Sequence, residues 1–270
     1  MANYLVTGGC GFIGSHLCEA LFHAGHNVTI LDDLSTGKES NINCPANLII
    51  GNITHKDTVK HAMEDIDGVF HLAAIASVEK SVEQWAETHM VNLSGTINIF
   101  DCAKDQKVPV VYASSAAVYG DNANVPLIET DRTSPLSAYG ADKLGCELHA
   151  KVAGLVHGVP SAGLRFFNVF GPRQDPKSPY SGVISIFIDR LIEGASLKIF
   201  GDGQQVRDFV YVGDVVRFLM AAMKNTSINA DVYNVCTGKK TSVAQLASTL
   251  AMIADTKLSV ERHPARMGDI

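Results

Sequence analysis

Short apolar runs rich in β-branched residues alternate along the chain with longer stretches of helical periodicity. Such runs are typical of strands buried on both faces, and the periodic stretches are typical of the helices that cover them. The pattern predicts strands at 4–7, 27–31, 48–51, 68–72, 108–113 and 161–166. Between these strands it predicts helices at 13–24, 55–64, 85–104 and 137–157. Strands separated by helices of this length indicate βαβ units and a mostly parallel sheet.

The alternation of predicted strands and helices becomes less regular after position 166. Residues 171–180 form a polar, proline-rich segment, which we interpret as a functional loop. Helical patterns follow at 183–193, 213–224 and 243–254, and short strands are predicted at 197–200 and 232–235. We therefore expect a first domain over 1–166 and a smaller, mainly substrate-binding lobe over 167–270, with some segments of the second half returning to the first domain.

A glycine triplet lies between the first predicted strand and the first predicted helix. Gly8, Gly11 and Gly14 have the spacing G-x-x-G-x-x-G. Glycines also mark ordinary turns, but in this setting they allow a tight turn, a close approach of the backbone to a pyrophosphate, and close packing of the helix on the sheet. The helix N-terminus then favours an anion. Pattern and loop together predict an α/β fold with a Rossmann-type doubly wound parallel sheet that binds a dinucleotide.

Two aspartates, Asp32 and Asp33, follow the second predicted strand. A carboxylate at this point can accept hydrogen bonds from the adenine ribose hydroxyls, and it repels a 2′-phosphate. We therefore expect NAD rather than NADP as the cofactor. The alternative, that the aspartates only cap a loop, applies more to Asp33 than to Asp32.

Charge and cysteine content restrict the class of protein. The 270 residues carry a formal net charge of -6, which argues against a basic surface for nucleic acid or for an anionic membrane. The six cysteines form no C-x-x-C pair and no zinc-type spacing, so we predict reduced thiols, no metal site and a cytoplasmic location. The N-terminus lacks a signal-peptide pattern, and no apolar run is long enough for a membrane span.

The candidate chemistry centres on Tyr139 and Lys143, a Y-x-x-x-K pair near the start of the predicted helix 137–157. Positions i and i+4 share one face of a helix, so the two side chains are neighbours. An ammonium group beside a phenol favours loss of the phenol proton, which makes Tyr139 a usable base. Ser115 follows the fifth predicted strand and can bind the same substrate oxygen. Each residue alone fits an ordinary packed or capping role, but the three together indicate interconversion of a hydroxyl and a ketone.

With these residues the sequence resembles the extended short-chain dehydrogenase/reductase family, and within it the nucleotide-sugar epimerases of the UDP-glucose 4-epimerase type. The resemblance covers nearly the whole chain. In the first half it depends on 7–16, 31–35, 71–74, Asn92, 114–120 and the pair Tyr139 and Lys143. In the second half it depends on 164–172, 201–210 and 266–269.

The resemblance implies a role for each matched position. It assigns catalysis to Ser115, Tyr139 and Lys143. It places NAD against these three and against Gly8, Gly11, Phe12, Ile13, Gly14, Asp32, Asp33, Leu34, Ser35, Thr36, Gly37, Asn52, Ile53, Leu72, Ala73, Ala74, Asn92 and Phe167. It places the nucleotide sugar against Ser115, Tyr139, Asn168, Val183, Lys198, Phe200, Arg207, Arg266 and Asp269. The two arginines are expected on the diphosphate, and the backbone of Lys198 and Phe200 on the uracil.

The chain departs from the family pattern at three points. Asn52 stands where an aspartate often contacts adenine, and Ala76 replaces a lysine of the UDP-galactose enzymes. The sequence ends at Ile270, directly after the R-x-G-D motif, where family members usually continue with a helical segment. We therefore expect a C-terminal tail to be absent from this sequence.

The implied activity is C4 epimerisation of a UDP-sugar through a 4-keto intermediate, in which Tyr139 removes the proton of the C4 hydroxyl and NAD takes and returns the hydride. A 4,6-dehydratase needs an acidic pair directly after the serine, and a decarboxylase generally carries glutamate at position 117, whereas this chain has Ala116 and Ala117. The acids at 32 and 33 disfavour an NADPH-driven reductase. A non-catalytic dinucleotide sensor commonly lacks the tyrosine or the lysine.

Two features of the expected enzyme stay open on this basis. UDP-glucose, UDP-N-acetylglucosamine and UDP-glucuronate differ at C2 or C6, and the volume of the pocket decides between them. We expect UDP-glucose with UDP-galactose or UDP-N-acetylglucosamine with UDP-N-acetylgalactosamine, and the loop 174–183 is similar to that of epimerases that also accept the N-acetylated pair. The predicted helices 85–104 and 137–157 match those that form a four-helix contact between subunits in the family. The resemblance therefore implies a homodimer, and the alternative is that these helices only pack on the sheet.

Overall fold

A parallel sheet forms the centre of the fold in the computed structural model, which describes residues 1–122, 124–178 and 181–264. The strands of this described part are β1 (Asn3–Thr7), β2 (Asn27–Asp32), β3 (Asn47–Ile50), β4 (Gly68–His71), β5 (Val110–Ser115), β6 (Ser161–Phe166), β7 (Asn168–Phe170), β8 (Leu197–Phe200), β9 (Val206–Arg207), β10 (Phe209–Tyr211), β11 (Asp231–Val235), β12 (Thr241–Ser242) and β13 (Val260–His263). Seven of them form the central sheet in the order β3, β2, β1, β4, β5, β6 and β11, and all neighbouring pairs are parallel.

Helices cover both faces of this sheet. Over the described residues they are α1 (Phe12–His23), α2 (Lys56–Ala62), α3 (Val78–Glu83), α4 (Trp85–His89), α5 (Gly95–Ala103), α6 (Ala138–His157), α7 (Val183–Ile192), α8 (Val212–Met223) and α9 (Val243–Ile253). One apolar cluster joins the sheet to α1 and α8, and a second joins it to α2, α5 and α6. The Rossmann-type doubly wound fold predicted from the sequence is confirmed.

Local sequence determines where α6, the helix that carries Tyr139 and Lys143, begins and ends. Ser137 caps the N-terminus, where its hydroxyl accepts a hydrogen bond from the Gly140 amide at 3.1 Å. Gly158 ends the helix with φ +70°, a left-handed conformation that suits glycine. Both capping signals are visible in the sequence, and the predicted span 137–157 differs from the observed helix by one residue.

The predicted helix 85–104 is the main departure from the sequence-based expectation. The structure divides it into α4, a π-helical turn at Met90–Ser94 and α5. It also adds α3, which begins after Ser77, whose side chain accepts a hydrogen bond from the Lys80 amide. Hydrophobic periodicity does not distinguish a π turn from an α turn, because both continue the same helical segment.

The second half of the chain contributes to the central sheet as well as to a separate cluster. β11 pairs with β6, and α8 packs against α1. A third apolar cluster forms from α7, β8 and α9. The domain boundary at 166 stays a prediction. Within the described part of the chain, none of the helices combines the length and the apolar character needed to cross a bilayer.

Candidate active site

A cleft of about 640 Å³ opens at the carboxyl ends of the parallel strands. Its walls are the segments that follow β1, β2, β4, β5 and β6, together with the start of α6 and of α7. β1 and β4 are neighbours in the sheet, and the chain leaves them towards opposite sides. This is the topological switch point at which open α/β sheets bind their ligands.

Most of the residues predicted for the cofactor line this cleft. They are Gly8, Gly11, Phe12, Ile13, Gly14, Asp32, Asp33, Ser35, Thr36, Gly37, Asn52, Ile53, Leu72, Ala73, Ala74, Ser115, Tyr139, Lys143 and Phe167. Asn168 and Val183, predicted for the substrate, line it as well. The structure therefore brings together residues that lie far apart in the sequence.

The glycine loop leaves no room for side chains. A Cβ on Gly8, which has φ +71°, would lie 2.8 Å from the Ala73 nitrogen. A Cβ on Gly14 would lie 2.1 Å from the Gly8 carbonyl oxygen. Helix α1 starts directly after Gly11 without a side-chain cap, so its first amides are available to an anion. This bare backbone cradle fits the pyrophosphate of a dinucleotide.

Asp32 joins the glycine loop to the loop after β2. Its carboxylate accepts hydrogen bonds from the Cys10 amide and from the Leu34 amide, each at 2.9 Å. The side chain is almost completely buried, and burial raises the pKa of this carboxyl, although the two amides act in the opposite direction. Each carboxylate oxygen has more than one acceptor site, so the group can also bind ribose hydroxyls. Asp32 thus fits an unphosphorylated adenine ribose.

Asp33 and Asn52 form one edge of the cleft. The Asn52 amide nitrogen donates to the Asp33 carboxylate at 2.9 Å, and its oxygen accepts from the Thr54 amide at the same distance. Asn52 therefore holds the loop after β3 against the loop after β2. An aspartate at this position could not donate to Asp33, so asparagine is the better partner for this contact.

Ser115, Tyr139 and Lys143 meet at the opposite end of the cleft. Ser115 ends β5, and its hydroxyl accepts from the Ala117 amide at 3.2 Å. Lys143 is 3% exposed, and its ammonium group lies 5.9 Å from the centre of the Tyr139 ring. The same ammonium donates to the Ala113 carbonyl at 2.8 Å, which ties α6 to β5. The structure thus places a buried cation beside the phenol of Tyr139.

A buried histidine behind the cleft was not among the predicted site residues. His71 contacts Thr7 through Nδ1 at 2.7 Å and Thr96 through Nε2 at 2.9 Å. Thr96 donates its own proton to the Asn92 carbonyl, so it must accept from His71 Nε2–H. His71 Nδ1 then accepts from Thr7, whose oxygen accepts from the Ala73 amide. Burial, with a smaller effect of the Lys143 charge, lowers the pKa of His71 to about 3.

Two predicted cofactor residues do not line the cleft. Asn92 is fully buried in the π turn, where its side chain accepts from the Ile75 amide at 2.8 Å and donates to the Ile75 carbonyl at 3.0 Å. It therefore holds the loop after β4 from behind. Leu34 has φ +57° and contributes its backbone amide to Asp32, while its side chain packs against the apolar cluster of α1 and α8.

Several predicted substrate residues lie elsewhere. Lys198 and Phe200 are on β8 and do not line the cleft; the Phe200 ring packs against His263 with centroids 5.3 Å apart. Arg207, on β9, is half-buried and donates to the Val206 carbonyl at 2.9 Å. Arg266 and Asp269 fall outside the described residues.

The cleft also has lining residues that the sequence argument left out. They include Ile75, Lys80, Gln84, Glu87 and Val91 in and around α3 and α4, Ser114 on β5, Phe170 and Gln174 on β7 and the loop after it, Ile184 on α7 and Phe209 on β10. Gln174 belongs to the proline-rich segment 171–180, for which the sequence predicts a functional loop. Phe170 and Phe209 lie within the segments 164–172 and 201–210 that carry the family resemblance, and the residues on α3, α4 and α7 reach the cleft through the packing of their helices.

Comparison with known proteins agrees with this architecture. The family model for the NAD-dependent epimerase/dehydratase family matches residues 4–236. A UDP-glucose 4-epimerase of Mycolicibacterium smegmatis is 35% identical over 274 residues, which cover 98% of this chain and 87% of the relative.

Two solved structures are similar over essentially the whole chain. The UDP-N-acetylglucosamine 4-epimerase of Methanobrevibacter ruminantium, in complex with UDP-N-acetylmuramic acid, has a TM-score of 0.95 at 39% identity and covers 100% of this chain and 87% of its own. The UDP-glucose 4-epimerase of Thermus thermophilus, in complex with NAD, has a TM-score of 0.92 at 35% identity and covers 99% of this chain and 88% of its own. With the glycine cradle, Asp32 and the Ser115–Tyr139–Lys143 cluster in one cleft, this chain belongs to the NAD-dependent epimerase/dehydratase family.

Proposed function

We propose that this chain is an NAD-dependent 4-epimerase that interconverts UDP-sugars through a 4-keto intermediate. One observation supports this most strongly: Ser115, Tyr139 and Lys143 line the same cleft as the glycine cradle, and Ala116 and Ala117 follow Ser115 directly. A hydroxyl can therefore be oxidised and re-formed there, whereas no acid follows Ser115 in these two positions to eliminate water or to assist decarboxylation.

The chain's own groups would handle the proton and the orientation of the sugar. Tyr139 takes the proton of the C4 hydroxyl and gives it back to the keto oxygen. Lys143 places its ammonium group beside the Tyr139 ring, and Ser115 donates a hydrogen bond to the same sugar oxygen. NAD, when bound, supplies reversible acceptance of the C4 hydride. We assign its binding to the glycine cradle, Asp32 and the other predicted residues of the cleft.

Inversion at C4 requires the keto sugar to present its other face to the cofactor. The sugar can turn only if its diphosphate stays anchored while the hexose is loosely held. We assign this anchor to Arg207 and Arg266, because a guanidinium group binds phosphate oxygens in pairs. Asn168 and Val183 line the cleft beside Ser115, Tyr139 and Lys143, and we assign them to the sugar. We assign Lys198, Phe200 and Asp269 to the nucleotide.

The experiment is a C4-epimerisation assay of the purified, NAD-loaded protein with UDP-glucose and with UDP-N-acetylglucosamine. We expect turnover of at least one pair, and loss of about 100-fold or more in kcat for Tyr139→Phe with NAD binding retained. Tyr233→Phe is the matched control, since Tyr233 is 38% exposed on β11 and does not line the cleft. Near wild-type turnover of Tyr139→Phe contradicts the assigned base, and absence of turnover by the wild type contradicts the function.

A homodimer through α6 and the α4–α5 region is the second part of the proposal. Leu148, Val152 and Leu155 form an exposed apolar stripe on α6 at the spacing i, i+4, i+7, and Trp85 at the start of α4 is 68% exposed. We expect Leu155→Glu to convert a dimer to a monomer in analytical ultracentrifugation. Met252→Glu, at an equally exposed apolar site on α9, should leave the dimer intact. A monomeric wild type contradicts this part alone.

We also propose that the protein works in the cytoplasm. All six cysteines are free thiols, which persist in a reducing compartment. Cell fractionation tests this assignment, and recovery from a secreted or periplasmic fraction contradicts it.

A further inference from the structure

A buried ion pair lies directly behind the catalytic cluster. Arg165 on β6 donates from Nη2 to Glu147 Oε2 at 2.7 Å and from Nε to Glu147 Oε1 at 2.9 Å. Both side chains are about 5% exposed. Although burial acts to lower it, the hydrogen bonds and the charge of Glu147 raise the pKa of Arg165, so the guanidinium stays charged. Neither residue lines the cleft.

The pair holds the segment around Ser115 at both ends. Before it, the Ser114 hydroxyl donates to Glu147 Oε1 at 2.5 Å. After it, Arg165 Nη1 donates to the Tyr119 hydroxyl at 2.7 Å, and Tyr119 closes the 3-10 turn that Ser115 begins. Ser115 thus lies in a short segment whose two flanks are bound to one ion pair, and both Ser114 and Ser115 line the cleft.

Glu147, one member of this ion pair, lies on α6, the helix that carries the proposed base. Tyr139, Lys143 and Glu147 follow one another at intervals of four residues on α6, so they lie along one side of the helix. Lys143 reaches β5 at the Ala113 carbonyl, and Glu147 reaches it at Ser114. The distance between the Tyr139 hydroxyl and the Ser115 hydroxyl therefore depends on how α6 is fixed to β5.

We infer that Glu147 and Arg165 are positioning residues that set Ser115 relative to Tyr139 for proton transfer at the sugar oxygen. The inference rests on the proposed function. A purely structural role is the competing explanation, but a buried ion pair gains little net stability, because its desolvation offsets most of its attraction. The position of the reacting groups has a larger effect than this net stability, since a displacement of about 1 Å at a reacting group can lower the rate about 100-fold.

The decisive variant is Ser114→Ala, which removes the hydrogen bond from Ser114 to Glu147 and leaves the ion pair between Glu147 and Arg165 in place. We expect kcat for epimerisation to fall about tenfold or more, while KM for the UDP-sugar and Kd for NAD stay within about twofold. Ser161→Ala is the matched control, because Ser161 is a fully buried serine on the adjacent β6 whose hydroxyl has no hydrogen-bond partner among the described residues. It should leave kcat unchanged.

Arg165→Lys extends the test to the ion pair. A lysine keeps the positive charge but lacks the planar guanidinium whose separate nitrogens bond the two Glu147 oxygens and Tyr119. We expect a loss of kcat similar to that of Ser114→Ala, measured at a temperature well below the midpoint of unfolding of each variant. Wild-type kcat in folded Ser114→Ala or in folded Arg165→Lys overturns the positioning role. Absence of turnover in the wild type, by contrast, refutes the proposed function itself.

Discussion

At the scale of single residues, the close contacts of Gly14 allow a direct test of whether NAD binding requires a glycine there. Alanine normally stabilises a helix relative to glycine by about 1 kcal/mol, so a gain is expected wherever the methyl group fits. At Gly14 the methyl would overlap the Gly8 carbonyl oxygen at 2.1 Å and the Gly9 Cα at 2.8 Å. Both are backbone atoms, so the loop itself must move. We expect Gly14→Ala to weaken NAD binding at least about tenfold, measured by calorimetric titration.

The control for this prediction is Gly145→Ala in α6. A methyl group at Gly145 meets only the tip of the Leu93 side chain, at 3.0 Å, and a flexible tip can give way. NAD affinity should therefore be unchanged in this variant. Equal NAD affinity of the two variants would show that the cradle does not need the bare backbone at Gly14.

The residues that could be predicted from the sequence are those whose role is local. The glycine spacing, Asp32 after a strand and the Tyr139–Lys143 pair each follow from short-range geometry, and the structure brings them into one cleft. Asn92 and His71 could not be assigned in this way. Their function depends on partners far along the chain, Ile75 for Asn92 and Thr7 for His71. Without an observed contact, either residue resembles an ordinary polar group of the core.

At the scale of elements, the proline-rich loop after β7 lies against the cofactor helix. The Arg173 guanidinium binds Glu19 of α1 at 2.5 Å and Ser15 at 3.2 Å, and the Pro172 carbonyl contacts His16 at 3.0 Å. The side chains of Arg173 and Glu19 are both mostly buried. Although burial opposes it, the hydrogen bond to Arg173 lowers the pKa of Glu19. The loop thus connects the second half of the chain to the helix that bears the glycine cradle.

This connection predicts an effect on release of the cofactor. Gln174, next to Arg173, lines the cleft, so loosening the loop should open the cleft on the side of the glycine cradle. We expect Arg173→Ala to speed NAD dissociation about tenfold, equivalent to about 1.4 kcal/mol, measured by stopped-flow displacement. Glu19→Gln should act similarly, and the double variant should add little, since both remove one interaction.

Arg217→Ala provides the matched comparison. It removes an exposed ion pair with Asp214 inside α8, away from the cleft. Its NAD dissociation rate should equal that of the wild type, because exposed pairs contribute little. If Arg173→Ala also released NAD at the wild-type rate, the loop would have no part in holding the cofactor.

The boundaries of α6 and α9 followed the sequence, and a local capping signal marks each of them. Ser137 and Gly158 delimit α6, and Ser242 with Gln245 forms a capping box at the start of α9. The π turn between α4 and α5 has no such signal. It accompanies the two hydrogen bonds of Asn92 to the loop after β4, a tertiary contact that periodicity alone does not reveal.

At the scale of the whole molecule, one buried hydrogen-bond chain links the sheet to a helical layer. It runs from Thr7 in β1 through His71 in β4 to Thr96 in α5 and ends at the Asn92 carbonyl. Each hydrogen bond in this chain has a defined donor and acceptor, and this arrangement requires His71 to be neutral with its proton on Nε2. A second proton on Nδ1 would face the Thr7 hydroxyl, which now donates to that nitrogen. Protonation of His71 would therefore break the hydrogen bond that Thr7 donates to Nδ1.

The pH dependence of stability follows from this chain. The pKa of His71 is about 3 in the folded protein, below its ordinary value near 6.5, because burial disfavours the cation. Between these two values the unfolded chain binds one more proton at this residue than the folded chain does. The free energy of unfolding should therefore fall as pH drops from about 6.5 towards 3, by up to about 1.4 kcal/mol per pH unit from His71 alone. Above pH 6.5 this residue adds no slope.

Denaturant unfolding at a series of pH values, for the wild type and for His71→Asn, measures this contribution. Asparagine cannot titrate but retains one donor and one acceptor, so the difference between the two slopes isolates one proton. His23→Asn is the control, because His23 is exposed at the end of α1 and its removal should leave the wild-type slope nearly unchanged. Parallel curves for the wild type and His71→Asn between pH 4 and 6 would mean that His71 is protonated in the folded state, and the directed chain from Thr7 to Asn92 would then be wrong.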